Sequence, residues 1–198
     1  MNAWIKPVQL MGKHVVLEPM THDHVEGLKL AVSDGELWNL WYTHIPGPSE
    51  VESYVDMALS QQQAGQSIPF VIFDPDSGNI LGSTRYCHID HDNKRVEIGY
   101  TWYAKSVQRT AVNTQCKFLL LTHAFEALDC IAVEFRTHWH NLASRKAILR
   151  LGAKQDGVLR NHQMMPDGGY RDTVVFSIIN QEWPVVKTSL AFKLATKS

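Results

Sequence analysis

The sequence predicts an α/β fold of the α+β kind, with a mixed, mostly antiparallel central sheet and helices on both of its faces. Three observations carry this prediction. The hydrophobic period changes from helical to strand-like and back again along the chain. Short polar turns join three consecutive strand patterns in the middle. One later helix is apolar on two sides, which is typical of a helix packed between layers.

The first part of the chain combines one strand with two helices. Residues 14–18 (HVVLE) form a short strand that Pro19 closes, and Thr21 and Asp23 begin a helix with apolar residues at helical spacing up to residue 32. The aromatic segment LWNLWYTHIPGP follows and ends in a Pro-Gly-Pro breaker. Ser49 can cap a second helix that runs to about residue 59.

The middle of the chain is predicted to be a three-stranded antiparallel meander. Its strands are residues 69–73, 80–89 and 96–103, and the polar turns DPDSGN and HDNK join them. The helical period then returns in residues 114–128, the helix that is apolar on two sides.

The remaining elements follow in short succession. Residues 132–139 are predicted to be a strand, and 141–151 a helix that Gly152 ends. Two strands, 155–158 and 173–179, flank a turn at residues 166–169, and a polar tail follows. We expect one domain, residues 1–198, with segments 10–65 (strand and two helices), 68–104 (meander), 105–129 (loop and helix), 132–152 (strand and helix) and 153–198 (strands and tail).

Composition excludes several classes of protein. The chain has 198 residues, 44% of them hydrophobic and 20% charged, which is typical of a globular domain. Its formal net charge of -1 lacks the basic excess of nucleic-acid binders. Lys6 and Pro7 interrupt the apolar run at the N-terminus, and no segment is long enough to cross a bilayer, so neither a signal peptide nor a membrane anchor is expected. The three cysteines, Cys87, Cys116 and Cys130, lack CxxC spacing and indicate buried thiols of a cytoplasmic protein.

The segment EIGYTWYAKSVQRTAVNTQCKFLLLTHAFE places a polar loop between a strand and a buried helix. The first amides of a helix have no carbonyl partner within it, and the positive end of the helix dipole lies there. The amides of Gln108 to Thr114 are therefore predicted to bind an anion such as a pyrophosphate. Many strand–loop–helix units bind nothing, so this signal is weak by itself.

Two motifs in this sequence resemble those of the GNAT superfamily of N-acetyltransferases. The segment just described resembles the family's acetyl-CoA motif, whose loop follows the pattern Gln/Arg-x-x-Gly-x-Gly/Ala, and HNLASRKAILRLGA resembles its second motif. The order of elements, over about residues 15–179, is similar to that of the ribosomal-protein N-terminal acetyltransferase branch. The resemblance implies acetyl-CoA (coenzyme A) as the cofactor.

The resemblance assigns cofactor binding to two groups of residues. They are Trp102, Tyr103, Gln108, Arg109, Thr110, Ala111, Val112, Asn113 and Thr114 around the loop, and Asn141, Ser144 and Arg145 in the second motif. Ala111 and Asn113 replace small residues of the pattern, which bears on how closely the backbone can approach a ligand. Asn113 can alternatively cap the following helix, Asn141 the second-motif helix, and Ser144 can simply fill space.

The catalytic candidates are Glu97 and Ser144. Acetyl transfer requires deprotonation of the amine and protonation of the leaving thiolate. Glu97 lies on the strand before the loop, on the face of Gly99 and opposite Val96, Ile98 and Tyr100. It is the candidate base, Glu134 on the next strand is the rival, and a paired strand carboxylate is the alternative interpretation. Ser144, or a nearby Tyr, is the candidate proton donor.

The acceptor and metal assignments depend on fewer residues. Trp38, Trp41 and Tyr42 precede the Pro-Gly-Pro loop, where the family has its acceptor-facing loop, and they line either an acceptor pocket or the core. The ten histidines lack the spacing of a strong zinc site, so no metal is predicted.

The function predicted is direct acetyl transfer from acetyl-CoA to a primary amine of a small molecule or a protein N-terminus. No nucleic-acid or membrane partner is expected, and a homodimer is left open. Two alternatives remain: a coenzyme A-binding module with weak or no turnover, and a His-based metal-dependent hydrolase.

Overall fold

The computed structural model describes residues 4–165 and 167–196. Its strands are β1 (Leu10–Met11), β2 (Val16–Pro19), β3 (Ser67–Phe73), β4 (Ile80–Asp90), β5 (Arg95–Tyr103), β6 (Ala132–His138), β7 (Lys154–Met164) and β8 (Tyr170–Ile179). Its helices are α1 (Val25–Ser33), α2 (Val51–Gln63), α3 (Val112–Thr122), α4 (Leu142–Leu151) and α5 (Trp183–Ala195).

The strands form a single mixed sheet in the order β1-β2-β3-β4-β5-β6-β8-β7. Neighbouring strands run antiparallel except β5 and β6, which are parallel. The parallel pair follows from the helix α3 between these strands, since a crossover returns the chain in the same direction. The predicted fold class is confirmed.

Helices cover both faces of the sheet, as predicted. Helices α1 and α2 pack on one face through a core that includes Leu28, Val55 and Trp102. On the other face, α3, α4 and α5 pack through a larger core around Leu120, Ile148, Phe176 and Leu190. We call these the α1/α2 face and the α3 face. All three cysteines are buried free thiols, as expected from their spacing.

The predicted polar tail is wrong, because residues 183–195 form helix α5. Trp183 stacks on Phe125 of the α3 face with ring centroids 5.3 Å apart, and its indole N–H donates to Glu126. Lys187 forms an ion pair with the same carboxylate. Helix α3 is apolar on two sides because the sheet covers one and α5 covers the other.

Several element boundaries also differ from the prediction. Helix α3 begins at Val112 rather than residue 114, and after Thr122 it continues as a π-helical turn, His123–Ala127. Ser49 does not cap α2, since it lies in a 3-10 turn, Pro48–Glu50, and the side chain of Glu50 accepts from the Gly47 N–H instead. Strand β1 was not predicted, and β7 is longer than the predicted residues 155–158, since it begins at Lys154 and ends at Met164.

Two remaining observations concern the turn and the membrane prediction. The predicted turn at residues 166–169 contains Pro166, which lies outside the described residues. None of the described helices is both long enough and apolar enough to span a membrane.

Candidate active site

Strands β5 and β6 separate part of the way along their length. They pair only through Arg95–Ala132, Val96–Val133 and Glu97–Glu134. Beyond Glu97, β5 continues to Tyr103 and β6 to His138 without ladder partners in each other among the described residues. The unpaired edges leave backbone N–H and C=O groups facing a gap in the middle of the sheet, where a ligand can bind them.

A β-bulge at Tyr100 changes the direction of the side chains along β5. Arg85 pairs with Gly99 and Ser83 with Trp102, so two residues of β5 oppose one of β4. Tyr100 has φ of 50°, in the left-handed region. The predicted face for Tyr100 is therefore wrong: it stacks on Arg85 on the α1/α2 face, whereas Val96 and Ile98 pack in the core of the α3 face.

The loop between β5 and α3 presents backbone amides at a helix start. The Gln108 side chain donates to the Tyr103 carbonyl at 3.1 Å, and the Thr110 hydroxyl donates to the Val107 carbonyl at 2.7 Å. The bond from the Gln115 N–H to the Ala111 carbonyl, 2.9 Å, fixes the first turn of the helix. The amides just before Gln115 lack an upstream helical carbonyl, which is the arrangement that binds anions.

The two departures from the glycine pattern fit this geometry. Ala111 has φ of -70°, which any residue adopts, and its methyl group is buried in the core. Asn113 lies in the first turn of α3, and its side chain accepts from the Tyr103 hydroxyl at 3.0 Å. It is therefore not the helix cap that the sequence suggested. The left-handed residue of the loop is Arg109, with φ of 66°.

The other predicted cofactor residues differ in exposure. Thr114 and Val112 are buried, as is Trp102, which packs in the core of the α1/α2 face. Tyr103 is half-buried and packs against the core of the α3 face. Side chains at Gln108, Arg109 and Thr110 are exposed, so the loop offers mainly its backbone and these three side chains to a ligand.

The second motif begins helix α4 beside the open end of the gap. The Asn141 side chain accepts from the Ser144 N–H at 3.0 Å, which confirms its cap role. Ser144 is half-buried. The Arg145 guanidinium donates to the Trp139 carbonyl and lies 4.4 Å from the centre of its ring, so this side chain is already engaged by the residue just before the motif.

Two of the three predicted acceptor-side aromatics lie at the end of β6. The Trp41 ring is 61% exposed, and its centre is 5.2 Å from that of His138 and 5.6 Å from that of His140. Tyr42 contacts both Trp41 and His138. Trp38 is separate, because it packs against the core of the α1/α2 face.

His138, one of the ten histidines, lies beside the acceptor-side aromatics. Its Nδ1 accepts from the backbone N–H of His140 at 3.0 Å, so the neutral ring carries its proton on Nε2 and can donate from there. Burial lowers the pKa of His138, and the nearby Arg171 lowers it further. The ring is thus held in its neutral form near pH 7.

Glu97 and Glu134 share a network of positive groups. Glu97 is buried, with its Oε2 2.8 Å from His88 Nδ1 and 3.3 Å from Arg136 Nε. Glu134 pairs with Arg95 and with Arg136. Burial raises the pKa of Glu134, but the hydrogen bonds from the two arginines outweigh burial and leave it below its ordinary value. These groups line a cavity of about 190 Å³.

Cys87, His88 and Glu97 also bring three possible metal-ligand atoms within 4.8 Å of one another. The Arg136 guanidinium opposes a cation here, because it already neutralises the Glu97 carboxylate. Burial raises the pKa of the Cys87 thiol, which disfavours the thiolate that a metal requires. The absence of a metal remains a prediction, and these contacts support it.

One buried cation near the bulge was not found from the sequence. Lys117 of α3 points into the sheet, where its ammonium donates to the Thr101 hydroxyl at 2.6 Å and to the Thr84 hydroxyl at 3.4 Å. Burial lowers its pKa to about 8. The sequence shows only a lysine within an apolar helix pattern. It does not show that the bulge places two threonine hydroxyls next to the ammonium.

Comparison with known proteins gives one consistent family. The acetyltransferase (GNAT) domain family matches residues 14–154. The Bacillus subtilis protein named "Putative ribosomal N-acetyltransferase YdaF" is 24% identical over 184 residues, which covers 87% of this chain and 95% of that protein.

Solved structures agree with this match. A GCN5-related N-acetyltransferase from Brucella melitensis superposes with a TM-score of 0.84 at 27% identity, covering 96% of this chain and 86% of that one. Mycobacterium smegmatis RimJ, solved with CoA-disulfide, shares the fold with a TM-score of 0.77 at 21% identity, covering 97% and 94% of the two chains.

Proposed function

The chain belongs to the acetyltransferase (GNAT) family, an acetyl-CoA-dependent group of enzymes, and we propose that it acetylates a primary amine directly, with a protein N-terminus as the first acceptor to test. The observation that carries this proposal is the gap between β5 and β6, next to the loop whose backbone amides lie at the start of α3. Both lie within residues 14–154, which match the family. The protein acceptor is suggested by the B. subtilis relative, whose name describes a ribosomal N-acetyltransferase. A small-molecule amine is the other acceptor class.

Residues of the loop and the second motif would hold the cofactor. We assign the pyrophosphate to the amides of Gln108 to Thr114, supported by their position at the start of α3. The rest of the cofactor would lie between the unpaired edge of β5, at Trp102 and Tyr103, and the start of α4, at Asn141 and Ser144. Arg145 would act indirectly, by fixing Trp139. Acetyl-CoA supplies a thioester, which is already activated for attack by an amine.

Glu97 is the proposed base, acting directly or through a water molecule. Its burial beside the point where β5 and β6 separate supports the assignment, and its contacts with His88 and Arg136 hold the carboxylate in one orientation. Glu134 is the weaker candidate, because both of its ion-pair partners are arginines, which stay charged, whereas one partner of Glu97 is a histidine that can lose its proton. Ser144, half-buried in the first turn of α4, is the proposed proton donor to the thiolate.

The acceptor would enter past Trp41 and Tyr42. Their contacts with His138, which offers a donor on Nε2, support a pocket that combines aromatic surface with one hydrogen-bond donor. Trp38 would hold the loop that carries Trp41 and Tyr42 in place, because it packs against the core of the α1/α2 face. We further propose that residues 1–198 act as one acetyltransferase domain in the cytoplasm.

The two alternative functions are not favoured. The inactive-module alternative rested on Ala111, whose conformation does not require glycine. A metal-dependent hydrolase would need a cluster of ligands that can bind a cation. Among the described residues, the one cluster of possible ligand atoms is Cys87, His88 and Glu97, and the positive charge of Arg136 beside Glu97 opposes a cation there.

The test is acetyl-CoA-dependent thiol release over a panel of acceptors. The panel contains peptides with free N-termini, the same peptides with blocked N-termini, and small amines. We expect release with free N-termini and none with the blocked partners. Release with small amines alone would overturn the protein acceptor, and no release with any amine would overturn the transfer itself.

A further inference from the structure

Arg85 is a fully buried arginine with unsatisfied donors. Its guanidinium lies between the rings of Tyr54 and Tyr100, 4.5 Å from the centre of each. One nitrogen, Nη1, donates to the Gln61 side chain, whereas Nε and Nη2 have no hydrogen-bond partner. Buried guanidinium groups normally have a counter-charge, because desolvation of an unpaired charge is costly. Among the described residues, Arg85 has no ion pair.

Arg171 of β8 lies beside the end of β6, since its neighbour on the same face, Thr173, pairs with His138. It is half-buried, its Nε donates to Thr173, and it too has no ion pair within the described part of the chain. Burial lowers its pKa, while the charge of Glu97 and the hydroxyl of Tyr100 raise it. Because His138 contacts Trp41 and Tyr42, Arg171 lies beside the proposed acceptor pocket.

The carboxylates of this face are already occupied. Glu97 is bound by His88 and Arg136, and Glu134 by Arg95 and Arg136. Neither is therefore a dedicated partner for Arg85 or Arg171. Two guanidinium groups without a carboxylate of their own leave a positive excess on this face of the sheet, which an anionic ligand would neutralise.

We propose that Arg171 binds a carboxylate that the acceptor carries close to its amine. Arg85 is fully buried behind the half-exposed ring of Tyr100, so it adds positive charge behind this site without contacting the ligand. The carboxylate has two possible sources: an acidic side chain at a protein N-terminus, or the α-carboxylate of a free amino acid. This inference rests on the proposed function, since it names the class of acceptor for the same site.

The experiment measures binding to the complex with coenzyme A, where no acetyl transfer occurs. One pair of probes is the peptide amides Glu-Ala-Ala-Tyr and Gln-Ala-Ala-Tyr, and the other is alanine and alaninamide. Calorimetry should show the acidic member of at least one pair binding roughly tenfold tighter or more, as a charge-assisted hydrogen bond provides. The pair that discriminates identifies the source. Equal affinities within both pairs would overturn the proposal.

Variants separate binding of the carboxylate from a structural role. Arg171→Gln should remove the preference for the acidic probe, whereas the exposed Arg150→Gln on α4 should keep it. Arg85→Met should weaken the preference without lowering the melting temperature, because it removes an unpaired buried charge. An acidic preference that survives in both Arg171→Gln and Arg85→Met would also overturn the proposal.

Turnover is recorded separately with the same probes. Thiol release from neutral probes, without an acidic preference in binding, would overturn only the carboxylate site. Tight, selective binding of an acidic probe without thiol release from any acceptor would support the carboxylate site and contradict the transfer proposal.

Discussion

The imidazole of His88 and the carboxylate of Glu97 are 2.8 Å apart across neighbouring strands, although the base candidate was identified from β5 alone. His88 has φ of 46° at an irregularity of β4, where the pairing shifts between Cys87 and Asp90. The irregularity turns the ring towards Glu97. The proposed base is therefore fixed by a histidine that a regular strand would have pointed elsewhere.

This contact predicts a measurable titration. The hydrogen bond to Glu97 raises the pKa of His88 above its ordinary value of 6.5. Its stabilising effect is full below pH 6.5 and is lost as the pH rises through the folded-state pKa. In Glu97→Gln, NMR titration should show the His88 pKa falling towards 6.5, and the exposed Asp92→Asn should leave it unchanged. A His88 that titrates at or below 6.5 in the native protein would contradict the contact.

Replacing Glu97 also tests the chemistry. If Glu97 is the base, Glu97→Gln should lower the turnover rate by roughly a hundredfold or more. The affinity for coenzyme A should barely change, because the loop amides are untouched. Glu134→Gln is the matched control and should stay within a few-fold of native. Near-normal turnover of Glu97→Gln would remove Glu97 from the mechanism.

The cofactor loop is tested at the first residue of α3. Val112→Pro removes an amide that here binds the Thr110 hydroxyl, and proline also disfavours the helical conformation of Ala111 before it. Calorimetry should therefore show weaker coenzyme A binding in Val112→Pro than in Val112→Ala, which keeps the amide. Equal affinities in the two variants would exclude this loop as the pyrophosphate site.

The aromatic residues separate an acceptor role from a core role. Trp41→Ala should raise the acceptor KM much more than the acetyl-CoA KM and should change stability little, because the ring is mostly exposed. Trp38→Ala should instead lower the melting temperature, since Trp38 packs against a core cluster. Steady-state kinetics and thermal unfolding of both variants make the comparison. Equal effects of Trp41→Ala on stability and on both KM values would place Trp41 in the core.

Hydrophobic periodicity predicted the fold class but not the last helix. The inward stripe of α5 consists of Trp183, Val186 and Leu190, but Val185 and Phe192 are apolar and exposed. The contrast between the two sides of this segment is therefore weak, so the sequence shows no clear amphipathic helix here. Only the second apolar side of α3 indicated that a further layer was needed.

The site was predicted in outline because its motifs are local in sequence. The loop and the cap at Asn141 depend on neighbouring residues, whereas the contacts of Glu97 with His88 and Arg136 depend on strand register. An alternation of faces assumes regular pairing, and the bulge at Tyr100 breaks it. This is why the contact of Arg85 with Tyr100 at that bulge could not be recognised from the sequence.

Lys117 provides a test of the same bulge through stability. A free lysine titrates near 10.5, whereas burial lowers the pKa of Lys117 to about 8. Between these pH values the unfolded chain binds more protons than the native one, so this residue makes stability rise with pH. At about 1.4 kcal/mol for each pKa unit, the full effect is roughly 3 kcal/mol.

The comparison that isolates this effect is native protein against Lys117→Met. The Thr84 and Thr101 hydroxyls are 2.8 Å apart, so they can bind each other when the ammonium is removed, and the variant should fold. Urea unfolding should show the native protein gaining stability relative to Lys117→Met as the pH rises from 8 to 10. The exposed Lys146→Met on α4 should show no such trend against native protein, because its side chain lies in solvent and loses no hydration on folding. A difference for Lys117→Met that stays flat over this range would mean that hydrogen bonds from the two hydroxyls compensate the buried charge fully.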